Sequence, residues 1–182
     1  PDWDDRGPNG RLVAMEVLAS TPRATRDLWS WLLNVDLVTQ VRAVRAPVPH
    51  PLQLLLAEPR RLGFTVGDAI WLRVVDVPAA LAARTYGRPG TLVLEVRDPF
   101  CPWNTGRWGL AAGEDGRGVV EPTTAMPDVT LDAGDLGATY LGTFRFSDLA
   151  RVGRVVEGTA GALFRADALF AAAPAPWCGT MF

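Results

Sequence analysis

Thr91-Leu92-Val93-Leu94-Glu95-Val96-Arg97 is the stretch whose reading decides the fold. Leu92, Leu94 and Val96 recur at every second position, the period of a strand that turns one face to a core. Downstream, Asp98-Pro99-Phe100-Cys101-Pro102-Trp103-Asn104-Thr105-Gly106-Arg107-Trp108 breaks that strand with two prolines and leads into a second one reaching Ala112. A glycine-rich turn over 113–118 returns the chain to Val119-Val120-Glu121, and Val129-Thr130-Leu131 adds a short strand. Upstream, Ile70, Leu72 and Val74 alternate and predict a strand over 69–75. Asp76 is placed to cap a helix from Val77 to about Tyr86, with Gly87 at its end.

The helices come late. Asp132 and Asp135 read as a capping pair for a helix carrying Leu136, Tyr140 and Leu141. Residues 146–152 make a short element of undecided type. The last helix spans about 159–173, with Leu163, Phe164, Asp167, Ala168 and Phe170 crowding one side. Strands in a run, followed by helices, indicate an α+β domain: one sheet with helices on one face.

Residues 1–68 have a different pattern. A strand over 12–18 is followed by Thr21-Pro22, an N-cap and a proline at the first helical position. The helix runs to about Asn34 with Leu28, Trp31 and Leu32 on its apolar face and Trp29 and Leu33 beside them. A strand over 37–44 and the crossing Pro47-Val48-Pro49-His50-Pro51 follow. The domain boundary is expected between 68 and 69. The opening Pro1-Asp2-Trp3-Asp4-Asp5-Arg6-Gly7-Pro8 is turn-rich, lacks an initiator Met and shows no signal-peptide pattern. It reads as the later part of a longer protein.

Of the 182 residues, 48% are hydrophobic and 21% charged, which suits a packed chain and not a disordered one. No apolar run is long enough for a membrane helix. The net charge of −2 and the lack of a basic patch interleaved with aromatics argue against nucleic-acid binding. All 18 basic residues are arginine, which removes any Schiff-base or phosphate-gripping lysine. Cys101, Cys178 and His50 are too few and too far apart for a zinc site. A Cys–His nucleophile pair needs His50 to leave its proline-flanked turn, so a surface or structural histidine and buried, reduced thiols are expected instead.

Several groups invite a functional reading. The corner 98–108 could form a ligand-facing aromatic wall, against a rigid turn whose aromatics fill the core. Glu95 and Asp98 could be paired carboxylates, against a solvated strand-end pair. Tyr140 could offer a phenol, against a half-buried packing role. Arg84, Arg88, Arg107, Arg151 and Arg154 read as solvent-facing. Asp115-Gly116-Arg117-Gly118 joins two strands and is a turn, not a phosphate loop.

The chain closes on Ala175-Pro176-Trp177-Cys178-Gly179-Thr180-Met181-Phe182. Chain ends are commonly polar and frayed. This apolar one reads as docked, carrying the Phe182 α-carboxylate into a partly apolar place where it could serve as an acid or base.

The strings Trp71-Leu-Arg-Val-Val-Asp-Val-Pro-Ala-Ala-Leu-Ala-Ala-Arg-Thr-Tyr86, Leu94-Glu-Val-Arg-Asp-Pro-Phe-Cys-Pro-Trp-Asn104, Asp135-Leu-Gly-Ala-Thr-Tyr-Leu-Gly142, Ala168-Leu-Phe and the terminal Ala-Pro-Trp-Cys-Gly-Thr-Met-Phe182 together resemble the C-terminal part of the enhanced intracellular survival (Eis) family of bacterial N-acetyltransferases. Trp3-Asp-Asp-Arg-Gly-Pro-Asn-Gly10 and residues 28–38 resemble the later half of that family's central domain. The resemblance implies residues 1–68 as the later part of a degenerate GNAT-like domain and 69–182 as a sterol-carrier-protein-like domain. It further implies that acetyl-CoA and a general-acid tyrosine belong to an N-terminal acetyltransferase domain outside this sequence.

The resemblance also implies that the Phe182 carboxylate is the general base toward an amine substrate of aminoglycoside or lysine type. The family often has an acidic residue at the penultimate, substrate-contacting position; here it is Met181, a departure that bears on substrate charge. The segment alone is expected to be inactive, cytoplasmic (with secretion left open) and part of a homo-oligomer, a hexamer in the family. No metal is expected. The alternatives are a sterol-carrier-like module that holds lipid or another hydrophobic ligand in an apolar tunnel, or an assembly scaffold; the resemblance implies a cavity closed by large side chains such as Trp103, Trp108 and Phe146, with the fold serving as a scaffold.

Overall fold

The computed structural model describes residues 3–5, 7–48, 50–68 and 70–180. The described residues group into two units: 3–68 together with 177–180, and Ile70–Pro176.

In the first unit, β1 (Trp3–Asp4) and β2 (Gly7–Pro8) form a small antiparallel pair. β3 (Gly10–Ala14) pairs in parallel with β4 (Val38–Ala43), and α1 (Pro22–Leu33) connects them. Thr21 starts α1 as its composition predicts: its hydroxyl accepts the Ala24 N–H at 3.1 Å, and Pro22 occupies the first turn where no N–H partner is needed. The buried face is narrower than the sequence suggests. Trp29 and Leu32 pack with Ala14 and Leu52, while Trp31 is 66% exposed and Leu28 and Leu33 lie outside the buried cluster. α2 (Leu52–Leu55) is a single turn.

The second unit opens on an extended segment. The alternation over 69–75 predicts a strand; no strand forms over the described residues 70–75. Leu72 and Val74 do turn inward, and the Leu72–Arg73 backbone lies against Gly137 of α4 instead of a strand neighbour. Asp76 caps α3 (Val77–Ala83), accepting the Ala79 N–H at 2.9 Å. This helix ends at Arg84, which is extended, so Gly87 is not its cap.

β5 (Gly90–Arg97), β6 (Gly106–Ala112) and β7 (Gly118–Pro122) form an antiparallel meander. β8 (Val129–Asp132) then pairs in parallel with the other side of β5, and α4 (Ala133–Tyr140) and α5 (Phe146–Arg151) follow it. β9 (Val155–Glu157) runs antiparallel to β8, giving the order β7-β6-β5-β8-β9, and α6 (Ala162–Phe170) closes the unit.

The sheet buries one face. Leu92, Leu94, Val96, Leu110, Val129 and Leu131 are each at most 2% exposed, and the helices cover them with Leu136, Phe146, Ala166 and Phe170. This is the α+β arrangement of a sheet with helices on one face. α6 differs in phase from the expectation: Ala162, Ala166, Leu169 and Phe170 face inward, and Phe164 is 78% exposed.

Candidate functional site

Met181 and Phe182 lie outside the described residues. The tail up to Thr180 belongs to the first unit. It crosses the region just beyond the C-terminal ends of β3 and β4, which are tied together by the Val44 N–H donating to Ala14 O at 3.1 Å. Arg45 Nη1 donates to Gly179 O at 2.9 Å. Gly179 is closely surrounded: a Cβ there would stand 2.6 Å from Glu16 Oε1 and 3.0 Å from the Trp177 ring. The Cys178 thiol is committed to its own tail, donating to Thr180 O at 3.2 Å.

Cys178 and Thr180 form part of the wall of a cleft of about 990 Å³, which Trp29, His50, Arg61 and Phe64 also line. His50 is buried, with Trp29 edge-on at 5.1 Å and Phe64 at 6.2 Å between ring centres. Its Nδ1 accepts the Leu52 N–H at 3.2 Å, which leaves the ring proton on Nε2. Burial lowers its pKa below the ordinary value, so the ring is neutral at pH 7. His50 is therefore a structural residue of the cleft wall, buried where the sequence suggests a turn.

In the second unit, the corner 98–108 is a turn held by buried hydrogen bonds, but two of its three aromatics lie outside the core. Phe100 is 78% and Trp103 65% exposed, with the Trp103 indole donating to Val75 O at 2.9 Å and Arg73 over the Phe100 ring. What holds the corner is Asp98, buried and not solvated. Its carboxylate accepts from the Cys101 N–H, the Phe100 N–H, Asn104 Nδ2 and the Arg73 guanidinium. Glu95 does not pair with it; Glu95 accepts from Arg107 Nε at 2.9 Å and from the Thr130 hydroxyl at 3.1 Å.

The arginines divide. Arg88, Arg151 and Arg154 are exposed, as expected, although Arg154 pairs with the buried Asp135 at 2.5 Å, whereas Arg107 is half-buried and tied to Glu95. Asp135 thus serves an ion pair, and the Asp132 side chain makes no cap bond to α4. Arg84 sits among the rings of Phe170, Tyr86 and Tyr140 and donates to Phe170 O at 2.6 Å. Tyr140 donates its phenol to Ala80 O at 2.8 Å, a packing role.

Between sheet and helices, Phe146 is fully buried and Phe170 nearly so, at 4.9 Å between ring centres. Trp108 is partly buried against this core, while Trp103 stands outside it and closes nothing. Among the described residues no group of three or more His, Cys, Asp or Glu could hold a metal, and no helix is long and apolar enough to cross a membrane.

A family model for the sterol carrier protein domain matches residues 77–179, and one for the acetyltransferase (GNAT) domain matches 2–74. N-acetyltransferase Eis of Mycobacterium tuberculosis is 37% identical over 86% of this chain and 38% of its own length. The chain belongs to the Eis-type N-acetyltransferase family. A relative in Streptomyces avermitilis, described as an uncharacterized N-acetyltransferase, is 41% identical over 97% of this chain and 43% of its own.

The crystal structure of Eis1 from Mycobacterium abscessus superposes with a TM-score of 0.80 at 36% identity, covering 94% of this chain and 43% of that one. A GCN5-related N-acetyltransferase from Kribbella flavida gives 0.69 at 27% identity, covering 100% and 45%. The chain thus spans less than half the length of the Eis-type relatives it matches. Sequence reasoning missed Arg45 and Glu16 beneath the tail. Only the apolar composition of the chain end hinted that something receives it.

Proposed function

We propose that this chain is the C-terminal portion of an acetyl-CoA-dependent N-acetyltransferase acting on amines of aminoglycoside or lysine type, and that its share of the chemistry is proton removal by the Phe182 carboxylate. The observation that carries this reading is the tail itself, which from Trp177 to Thr180 belongs to the GNAT-like unit and is held there by Arg45 at Gly179 O.

An amine must lose a proton to attack a thioester, and a carboxylate within reach, directly or through one water, can accept it. In a protein that ends at Phe182 this needs no side chain. The free α-carboxyl has a pKa of about 3.3–3.7, so a useful base requires the desolvation that an apolar end such as Met181-Phe182 supplies. Met181, in place of an acidic residue, reduces the negative charge offered to polycationic acceptors.

The start of α1 does not fit the pyrophosphate of acetyl-CoA. A pyrophosphate takes several free amides at a helix start. At α1, Pro22 has no N–H and the Ala24 N–H is already bound by Thr21. On the family pattern the donor belongs to an N-terminal acetyltransferase domain, and the protein acts in the cytoplasm as a homo-oligomer, a hexamer. The filled interior around Phe146 and Phe170 favours a scaffold role for the sterol-carrier-like unit over lipid carriage.

The test mixes the 182-residue chain, and separately the complete protein, with acetyl-CoA and an aminoglycoside. Transfer by the complete protein alone is expected, together with no binding of a fluorescent fatty-acyl probe to the chain. Turnover by the chain alone would overturn the division of labour, and tight probe binding would favour the lipid module.

A further inference from the structure

Arg45 and Glu16 each follow the end of one of two paired parallel strands, the edge at which open α/β sheets place their ligands. The tail passes there. Arg45 Nη1 grips the Gly179 carbonyl at 2.9 Å, and Arg45 Nε is buried without a hydrogen-bond partner among the described residues. A buried N–H left unpaired is costly, so this guanidinium is not a solvated surface group that happens to touch the tail. Gly179 adds a second constraint, because Glu16 and Trp177 leave little room for a side chain there.

We propose that Arg45 is a positioning residue: by fixing the Gly179 carbonyl it sets the point from which the last three residues extend, and so confines the Phe182 carboxylate. This rests on the reading of Phe182 as the base. Three residues reach at most about 10 Å. Freed at Gly179, the end would be tethered from Pro176, six residues back, with a reach of about 20 Å. Doubling the reach enlarges the accessible volume about eightfold and dilutes the carboxylate at any one point by a similar factor.

The experiment uses Arg45→Met, which keeps length and loses the donors, and Arg45→Lys, which keeps one donor and the charge. In the complete protein, Arg45→Met should lower kcat about tenfold with KM for acetyl-CoA unchanged, and Arg45→Lys should restore part of the loss. Independently, Cys178 should react faster with a thiol reagent in Arg45→Met, while the buried Cys101 stays slow and circular dichroism shows an intact fold.

Unchanged Cys178 reactivity would overturn the clamp. Faster reactivity with an unchanged kcat would overturn the positioning role if appending a residue after Phe182 still abolishes turnover. If that extension is also harmless, the reading of Phe182 as base falls, and the positioning role falls with it.

Discussion

Asn104 Oδ1 accepts the Val77 N–H at 2.9 Å, so a side chain from the corner after β5 caps the first turn of α3. Its Nδ2 donates to Val75 O at 3.1 Å and to Asp98 Oδ2 at 3.0 Å, and the residue is fully buried. Removing it strands the Val77 N–H and Asp98 Oδ2 away from water, while Val75 O keeps the Trp103 indole. Asn104→Ala should cost about 3 kcal/mol, read as a lower urea midpoint with an unchanged slope. An unaltered midpoint would show that water replaces the amide without penalty.

Asp98 and Asp135 are both buried carboxyls beside an arginine, yet they differ. Burial pushes Asp98 up, but Asn104, the Cys101 N–H and Arg73 together outweigh it and hold its pKa below the usual range. Burial also pushes Asp135 up, and there Arg154 does not compensate. A depressed folded pKa gives stability that is present above the unfolded value of about 3.9 and is lost as pH falls through the folded one. A raised pKa gives the reverse: stability present below the unfolded value and lost as pH rises above it through the folded one. Asp98→Asn should therefore destabilise by about 2 kcal/mol at pH 7 and flatten the acid limb. Asp135→Asn should be neutral or stabilising at pH 7. Melting temperatures across pH 3–8 read both, and equal losses at pH 7 would contradict the contrast.

Two glycines in α4 give opposite expectations. A Cβ at Gly134 meets nothing within 4 Å, while one at Gly137 would stand 2.5 Å from the backbone oxygen of Leu72. Gly134→Ala should gain about 0.4–1 kcal/mol through the unfolded chain. Gly137→Ala should lose about 1–3 kcal/mol, because α4 must back away from the extended segment it packs on. Thermal denaturation distinguishes them, and a gain at Gly137 would show that the contact yields easily.

Arg84 stacks on Phe170 at 4.5 Å and holds that residue's carbonyl at the end of α6. Lysine cannot reproduce the planar contact with the donor fork, so Arg84→Lys should cost about 1 kcal/mol despite its conserved charge. A full match to the parent's stability would reduce Arg84 to a charge.

Much of this was legible because it is local. Thr21-Pro22 and Asp76 announce their helices through cap chemistry, and Leu92, Leu94 and Val96 announce the buried strand through period alone. Over 70–75 the same alternation misleads, since side chains can alternate inward without a strand partner, and here the neighbour is a helix. The parallel pairing of β5 with β8 leaves no local signature, because register across a long connection is set by packing. Asp98 and Arg84 look solvated in sequence because their partners come from elsewhere in the fold. Arg45 could not be tied to Gly179, 134 residues away, by any spacing rule. The Eis-type motifs point to Phe182 by resemblance alone, and the tail is described only up to Thr180.

The most direct measurement is the rate of acetyl transfer by the complete protein carrying one added glycine after Phe182. The addition moves the carboxylate by up to about 3.6 Å and puts a neutral amide where it stood. A fall in kcat of roughly a hundredfold or more, with KM for acetyl-CoA unchanged, is the predicted result. Unchanged turnover would remove the terminal carboxylate from the chemistry.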